Sequence, residues 1–238
     1  MMYLSKLQLN PRSRDVHRDL ADCHNLHRTL LSAFPQADSN AARAEFGLLF
    51  RLEANPRTGM TVVLAQSHVA PDWSHLPAGY LLDTADNPAC KPIDALYESL
   101  ALGARLRFRL RANPTRKIET KSLPDGTKRN GRRVELRREE DQVAWLRRKS
   151  EAAGFRLLNL RLNKGAPNIR VSPENQTVGW RSRKEGIREK QRLTFGTVLF
   201  EGELEITDPA AFRQALALGI GSGKAYGFGL LSIAPLRQ

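Results

Sequence analysis

The chain is poor in the residues that mark several protein classes. Two cysteines, Cys23 and Cys90, are too few for a disulfide framework and are typical of a reduced, cytosolic chain. No apolar run approaches the roughly 18 residues that a membrane-spanning helix needs, and the first residues lack the apolar segment of a signal peptide. We therefore expect a cytoplasmic protein without membrane contact. Its 238 residues, 41% of them hydrophobic, suffice for one large or two small domains.

Motifs for metal and nucleotide chemistry are also missing. No CxxC or HExxH pattern is present, so nothing in the spacing indicates a zinc site. The glycine-rich segment 219–229 is not a P-loop, because that motif needs glycine at 218 and serine or threonine at 225, where Leu218 and Ala225 stand. The segment also leaves a predicted helix and enters a predicted strand, the reverse of the P-loop order. We therefore expect neither a cofactor nor a metal ion.

Positive charge is plentiful and is confined to one block of the chain. The formal net charge is +13, and residues 105–149 alone carry 16 basic and six acidic residues. Residues 150–195 add ten basic and four acidic residues, whereas both ends of the chain are slightly acidic. A concentrated basic block is typical of a surface that binds a polyanion such as a nucleic acid. A basic disordered linker would explain only the part from about 113 to 135.

Hydrophobic periodicity predicts the same structural unit twice. For residues 105–233 the order is β-α-β-β-α-β, that of a ferredoxin-like domain. For residues 1–82 it is β-α-β-β with a weaker tail, which fits the same unit with a degraded second helix. We therefore predict an α+β fold with two tandem ferredoxin-like (RRM-like) domains. The first covers 1–90, a linker covers 91–104, and the second covers 105–238.

Turn and capping signals bound the individual elements. In the first half they predict a strand at 3–9, a helix at 13–34, a hairpin of strands at 46–53 and 61–67, a boundary at 86–92 and a short helix at 93–102. In the second half they predict strands at 105–112, 155–162, 193–206 and 226–233, and helices at 139–153 and 208–218. The segment 164–191 is predicted to be a polar, basic loop.

The predicted strand at 105–112 carries arginine at every second position. Because successive strand residues point to opposite faces, the arginines share one face and repeat every ~6.6 Å. Such a row suits the backbone of a nucleic acid, and we expect it to bind RNA. A basic face that meets only solvent is the alternative interpretation. The residues of this row are Arg105, Arg107, Arg109 and Arg111.

Several segments together resemble one known family. They are the opening Met2-Tyr3-Leu4-Ser5-Lys6, His27-Arg28-Thr29-Leu30 on the first predicted helix, the run from Gly103 to Pro114, Trp145-Leu146, Gly154-Phe155, the run from Val198 to Gly202, and the glycine-rich loop with Gly219, Gly221, Gly223, Gly227 and Gly229. The loop alone resembles the RAMP superfamily of CRISPR proteins. The combination resembles the CasE family, the CRISPR-repeat-processing endoribonucleases of type I-E systems. The resemblance runs along the whole chain and is weaker at about 115–192.

This resemblance implies a metal-independent endoribonuclease in which the first domain carries the catalytic helix. Members of the family cleave CRISPR precursor RNA at the base of the repeat stem-loop by attack of the 2′-hydroxyl. They retain the product and join a Cascade-type complex, so the implied partners are the repeat RNA stem-loop and the Cascade subunits. The family's Tyr-x-x-His pattern falls on His24 and His27, so this chain has histidine at the tyrosine position.

The two histidines suit the chemistry of RNA cleavage. Three residues apart on a helix, they share a face, and histidine titrates near neutrality, so one can accept and the other donate a proton. This predicts a bell-shaped pH–rate profile near neutrality. An N-cap at Asp22 would place both histidines beside phosphate-binding N–H groups, whereas an N-cap at Ser13 would not. Further candidates for RNA contact are Arg28, Ser32, Lys117 and Lys224.

Three alternatives remain open from the sequence. Two histidines at this spacing can be structural side chains of a helix face. The chain can also be a RAMP-fold subunit that binds an RNA hairpin without cutting it, which histidine in place of tyrosine at position 24 keeps open. It can further be a general RNA-binding protein with RRM-like domains, against which stand the missing RNP1 pattern and only 16 aromatic residues.

Overall fold

The computed structural model describes residues 1–36, 42–55, 57–118, 131–160, 165–182 and 190–236. Two 3-10 turns, Trp73–His75 and Lys224–Tyr226, supplement the helices and strands. The strands are β1 Tyr3–Gln8, β2 Leu49–Ala54, β3 Thr61–Ser67, β4 Ala89–Pro92, β5 Arg105–Ala112, β6 Thr115–Ile118, β7 Arg132–Glu135, β8 Phe155–Leu157, β9 Ile169–Ser182, β10 Lys190–Ile206 and β11 Leu231–Pro235. The helices are α1 Arg14–Ala21, α2 Cys23–Leu31, α3 Ala42–Glu45, α4 Asp94–Glu98, α5 Glu139–Ala152 and α6 Pro209–Leu218. Within these ranges, no helix has both the length and the apolar character needed to cross a membrane.

The first half forms an antiparallel sheet with the strand order β2-β3-β1-β4. This is the order of a ferredoxin-like sheet, with β4 as the last strand. Val16 of α1 and Leu26 and Leu30 of α2 pack with the apolar side chains of the sheet into one core. In place of a second helix the chain has only the 3-10 turn at Trp73–His75. The predicted degraded second helix is therefore confirmed.

The last strand of this sheet lies where we expected a boundary. Residues 86–92 were predicted to separate the halves, but Ala89–Pro92 pairs with β1. All four residues of β4 are exposed, so the strand has no alternating apolar pattern to reveal it. Its position at the sheet edge suits the proline that ends it, because an edge strand tolerates a missing N–H donor. The division into domains at 90 and 105 stays a prediction.

The second half repeats the same strand order. Its sheet runs β11-β5-β10-β8, and the chain order β5, α5, β8, β10, α6, β11 is the predicted β-α-β-β-α-β. Helix α6 begins as predicted, with Asp208 as its N-cap and Pro209 as its first residue. The Asp208 carboxylate accepts hydrogen bonds from Ala210 N–H and Ala211 N–H. The prediction of two ferredoxin-like units is confirmed.

Two additions to this half were not predicted. The segment 164–191, expected to be a loop, contains the 14-residue strand β9, which pairs with β10. In its sequence IRVSPENQTVGWRS only the start alternates, where Ile169 and Val171 pack against the core. The rest becomes a strand because the 17-residue β10 offers it a long ladder of backbone groups. Strands β6 and β7 form a separate two-stranded hairpin inside the basic block. Residues 119–130, between these two strands in the sequence, lie outside the described residues.

Buried polar side chains join the two halves. Arg51 of β2 is 2% exposed and donates to the carbonyl oxygens of Arg109 and Leu230 in the second half, at 3.2 and 3.1 Å. Gln66 of β3 donates to the carbonyl of Leu216 at the end of α6, at 2.8 Å. Groups buried this way need their partners, so these bonds fix how the halves face each other. The site described below lies along this junction.

Candidate active site

Helix α2 begins at a sharp break that the sequence left ambiguous. The predicted helix at 13–34 is in fact two helices, because Asp22 is extended (φ −141°, ψ 104°) and separates α1 from α2. Its carboxylate accepts a hydrogen bond from His24 N–H at 2.9 Å and so caps α2. Ser13 caps α1 without a side-chain bond, so both expected N-caps exist. His24 and His27 therefore lie in the first two turns of α2, as the Asp22 interpretation predicted.

His27 is buried and uncharged at neutral pH. Its side chain is 9% exposed, and its ring stacks on Phe50 of β2 with centroids 6.4 Å apart. Its Nδ1 atom has no hydrogen-bond partner among the described residues. Burial, with smaller contributions from the charges of His24 and Arg43, lowers the pKa of His27 from 6.5 to about 4. In this neutral state the imidazole can accept a proton as a general base, but it cannot act as a general acid, which requires the protonated imidazolium.

The glycine-rich loop lies over α2. Its five predicted glycines all have positive φ, between 76° and 90°. A Cβ atom at Gly229 would come 2.9 Å from the Ile220 carbonyl, and one at Gly227 would come 3.2 Å from the Phe50 ring. These glycines are therefore required by contact with other protein atoms, not only by an approaching ligand. Their packing holds the 3-10 turn at Lys224–Tyr226 against α2 and β2.

A row of rings links this loop to the helix. The Tyr226 ring lies 6.4 Å from the His24 ring and 4.8 Å from that of Phe195 on β10. Phe195 in turn lies 5.7 Å from Phe228, which is fully buried. The sequence singled out His24 for standing at a tyrosine position, and the fold brings a tyrosine from the other half next to it. Tyr226 was missed because nothing local connects it with α2, 200 residues away.

Two further cations, Arg43 and Lys149, lie within electrostatic range of Lys224. Lys224 stands at the start of the 3-10 turn, and burial together with the charges of Arg43 and Lys149 lowers its pKa. The same Arg43 charge contributes to the low pKa of His27, so Arg43 reaches both groups. Among the described residues, no carboxylate contributes to the pKa shifts of Arg43 or Lys224. Half-buried positive charge is a place where a phosphate can bind.

Strand β9 forms a side wall of the site. Trp180 N–H donates to Asp22 Oδ1 at 3.1 Å, so the carboxylate that caps α2 also holds the strand. Gly179 allows this approach, since a Cβ there would lie 2.7 Å from Cys23 Sγ. The Trp180 side chain stays 42% exposed.

Cys23 itself is buried, and burial followed by the Asp22 charge raises its pKa to about 12, so it is no thiolate nucleophile.

The arginine row on β5 shares one face as predicted, but it is not an open basic track. A matching row of glutamates on β10 stands directly opposite, with Glu205 beside Arg105, Glu203 beside Arg107 and Glu201 beside Arg109. Arg105 pairs with Glu205 at 3.0 Å, and Arg109 pairs with Glu201 at 2.6 Å and with Glu53 at 3.2 Å. The remaining two bind elsewhere: Arg107 Nε donates to the Pro235 carbonyl at 3.2 Å, and Arg111 Nε donates to Glu174 at 2.7 Å.

The other predicted contact residues do not all lie together. Arg28 and Ser32 face a separate groove beside His75, on the neighbouring side of α2 from His27. The Ser32 hydroxyl donates to the Thr29 carbonyl at 2.7 Å and thus serves the helix end. Lys117 is exposed on the β6–β7 hairpin. Of the predicted contact residues in the second half, Lys224 is the one whose 3-10 turn packs against α2.

Comparison of the sequence and the fold with known proteins identifies the family of the chain. A family model described as CRISPR associated protein matches residues 2–235. The CRISPR-associated endoribonuclease Cse3 of Thermus thermophilus is 38% identical over 234 residues, covering 98% of this chain and 100% of that protein. The CRISPR system Cascade subunit CasE of Escherichia coli is 32% identical over 237 residues, covering 99% and 100%. A solved structure of CRISPR endoribonuclease Cse3 bound to a 19-nucleotide RNA has a TM-score of 0.75 at 39% identity, covering 98% of this chain and 100% of that one. The chain therefore belongs to the family of CRISPR-associated proteins that includes Cse3 and CasE, which the residue pattern predicted.

Proposed function

We propose that the protein is an endoribonuclease that cleaves CRISPR precursor RNA at the base of the repeat stem-loop. The observation that carries this proposal is the placement of a buried, neutral histidine beside half-buried cations at the junction of the two halves. Near full-length similarity to proteins named endoribonuclease Cse3 and Cascade subunit CasE supports it. Product retention and assembly into a Cascade-type complex in the cytoplasm belong to the same proposal.

The site supplies what cleavage by the RNA's own 2′-hydroxyl requires. His27, neutral at pH 7, accepts the 2′-hydroxyl proton while the 2′-oxygen attacks the adjacent phosphorus. The bond from phosphorus to the 5′-oxygen breaks, which leaves a 2′,3′-cyclic phosphate and, once a proton is supplied, a 5′-hydroxyl. Lys224 and Arg43 stabilise the charge on the phosphate oxygens. Lys224, with its lowered pKa, is placed to give the proton to the leaving oxygen.

The β6–β7 hairpin is the element we assign to the RNA stem. Lys117 and Arg133 stand directly opposite each other in its ladder, and both are exposed. Like charges in this position repel each other, so the hairpin gains stability from a polyanion that lies across it. A duplex RNA offers such a surface through its phosphates. The basic block thus contributes through this hairpin more than through the β5 arginines, three of which carboxylates already neutralise.

A second candidate function is retained because His24 replaces the family tyrosine. In it the protein holds the repeat hairpin without cutting it. Purified protein incubated with repeat hairpin RNA in EDTA distinguishes the two. We expect one cut that leaves a 5′-hydroxyl, and no cut in an RNA with a 2′-deoxy nucleotide at the cleavage site. Tight binding of uncut RNA would favour the binding subunit, and cleavage that requires added Mg²⁺ would overturn metal independence.

A further inference from the structure

Arg111 differs from the other arginines of the β5 row. Its side chain is 12% exposed, compared with 61% for Arg105 and 43% for Arg109. All four were predicted to contact RNA. A guanidinium this enclosed has little surface left for a phosphate, so its contacts within the protein indicate what it does.

One set of these contacts spans an irregularity in the sheet. The ladder between β9 and β10 shifts register between Phe195 and Thr197, which pair with Thr177 and Glu174 on either side of the shift. Arg111 Nε donates to Glu174 at 2.7 Å, and its NH2 group donates to the Thr177 hydroxyl at 3.0 Å. The planar guanidinium therefore bridges both sides of the bulge. Bulges redirect a strand, and beyond this one β9 continues to Gly179 and Trp180, which touch the start of α2.

The second set of contacts reaches the glycine-rich loop. The guanidinium carbon lies 5.0 Å from the centroid of the Phe228 ring, a cation–π distance. The Arg111 carbonyl accepts a hydrogen bond from Gly229 N–H at 2.9 Å. Phe228 contacts Phe195, which contacts Tyr226, whose ring lies beside that of His24. Arg111 is thus connected with α2 by two routes, one through β9 and one through the loop.

We propose that Arg111 is a positioning residue of the ribonuclease site: it fixes the β9 bulge and the glycine-rich loop against each other, and thereby places Tyr226, Lys224 and the start of α2. The inference rests on the proposed endoribonuclease function for its effect on rate. It assigns Arg111 a role inside the protein in place of the phosphate contact that the sequence favoured. The fork of the guanidinium is essential to it, because a lysine cannot reach Glu174 and Thr177 together.

The two roles predict different results for Arg111→Met and Arg111→Lys. For a positioning residue, single-turnover cleavage of the repeat hairpin falls by about 10- to 100-fold in both variants. Affinity for an uncleavable 2′-deoxy hairpin, and its salt dependence, stay close to wild type. For a phosphate contact, affinity falls, the log–log salt slope decreases by about 1 in Arg111→Met, and Arg111→Lys is close to wild type. That second pattern would overturn the proposal.

Hydrogen exchange adds a measurement that does not depend on cleavage. We expect faster amide exchange at 219–229 and at 177–180 in both Arg111 variants, and the same direction in Glu174→Gln, which leaves Arg111 in place. Arg156→Met is the matched control, since Arg156 is an exposed arginine that likewise forms an ion pair across this sheet, with Glu205 of β10 at 2.6 Å. Unchanged exchange in a folded Arg111→Lys or Glu174→Gln overturns the inference. If wild-type protein fails to cut, the proposed function fails while the exchange experiment still decides the role of Arg111.

Discussion

His27 shows at the scale of one residue how burial selects a chemical role. On the sequence alone, two histidines predicted a bell-shaped pH–rate profile near neutrality. Burial against Phe50 lowers the pKa of His27 to about 4, so this residue contributes no limb near 6.5. We expect kcat/KM to rise as pH increases through about 4 and to be level between 5 and 7, because kcat/KM reports the free enzyme. A rise centred near 6.5 that His27→Gln abolishes would contradict this assignment.

His27→Gln tests the same residue by substitution. We expect the single-turnover rate to fall by at least about 100-fold, the usual scale for a positioned acid or base, with little change in hairpin affinity. His17→Gln is the matched control, since His17 is exposed on α1 and its ring bonds only the Pro11 carbonyl among the described residues. Normal cleavage by a folded His27→Gln protein would remove His27 from the mechanism.

The low pKa of His27 also predicts how stability depends on pH. The folded pKa of about 4 lies below the 6.5 of the unfolded chain, so the unfolded state binds more protons between these values. The free energy of unfolding therefore falls as pH decreases from about 6.5 to about 4, by about 3 kcal/mol from this group. Urea unfolding of wild type and His27→Gln at pH 7 and pH 4 measures the difference. Parallel pH dependences in the two proteins would show that the ring titrates normally when folded.

Trp180 offers a surface that RNA bases can use. Of the three tryptophans, Trp73 and Trp145 are 6% and 3% exposed, whereas Trp180 is 42% exposed beside the cap of α2. We expect an unpaired base next to the stem to stack on it, so that RNA quenches its fluorescence. Trp180→Ala should weaken hairpin binding by about 1–3 kcal/mol. Quenching that persists in Trp180→Phe would come from the buried tryptophans and would refute the stacking.

At the scale of elements, the sequence predicted well wherever a strong local signal exists. Strand β5 alternates strictly, α5 is terminated by Gly154 (φ 72°) just after its C-cap, and α6 has its Asp-Pro cap, and all three are confirmed. Strand β9 was missed because its formation depends on β10 and not on its own pattern. The glutamates opposite β5 were detectable, since Glu201, Glu203 and Glu205 alternate in the same way. Their pairing with the arginines required strand register, which the sequence alone does not give.

The β6–β7 hairpin carries a prediction of its own. Replacing Lys117 or Arg133 with glutamine relieves the repulsion between them but removes a phosphate contact. We therefore expect weaker hairpin RNA binding, with the log–log salt slope reduced by about 1 for each residue. The thermal stability of the free protein should rise slightly, because the repulsion is gone. Arg156→Gln, which removes one charge from an existing ion pair, should leave the slope as it is. An unchanged slope in both hairpin variants would assign the stem to another surface.

The candidate site is a property of the whole molecule. Helix α2 comes from the first half, and the glycine-rich loop and β9 come from the second. The sequence named the histidines and the loop separately, and it even named their family. It could not bring Tyr226 and Trp180 to α2, because these contacts bridge distant parts of the chain. The geometry of the site therefore depends on the bonds that hold the halves together.

Arg51 is the centre of those bonds and gives the test at this scale. It is 2% exposed and donates to Glu53, to the Arg109 and Leu230 carbonyls and to the Ser232 hydroxyl. Arg51→Met fits the space but leaves buried acceptors without donors, so we expect unfolding free energy to fall by about 3 kcal/mol. Arg57→Met, exposed in the turn of the same hairpin, should change it by less than about 0.5 kcal/mol. Cleavage should fall further than the folded fraction of Arg51→Met, because halves that shift relative to each other separate Lys224 from His27. Activity that simply follows the folded fraction would mean that the site tolerates this movement, and that local packing around α2 is sufficient to build it.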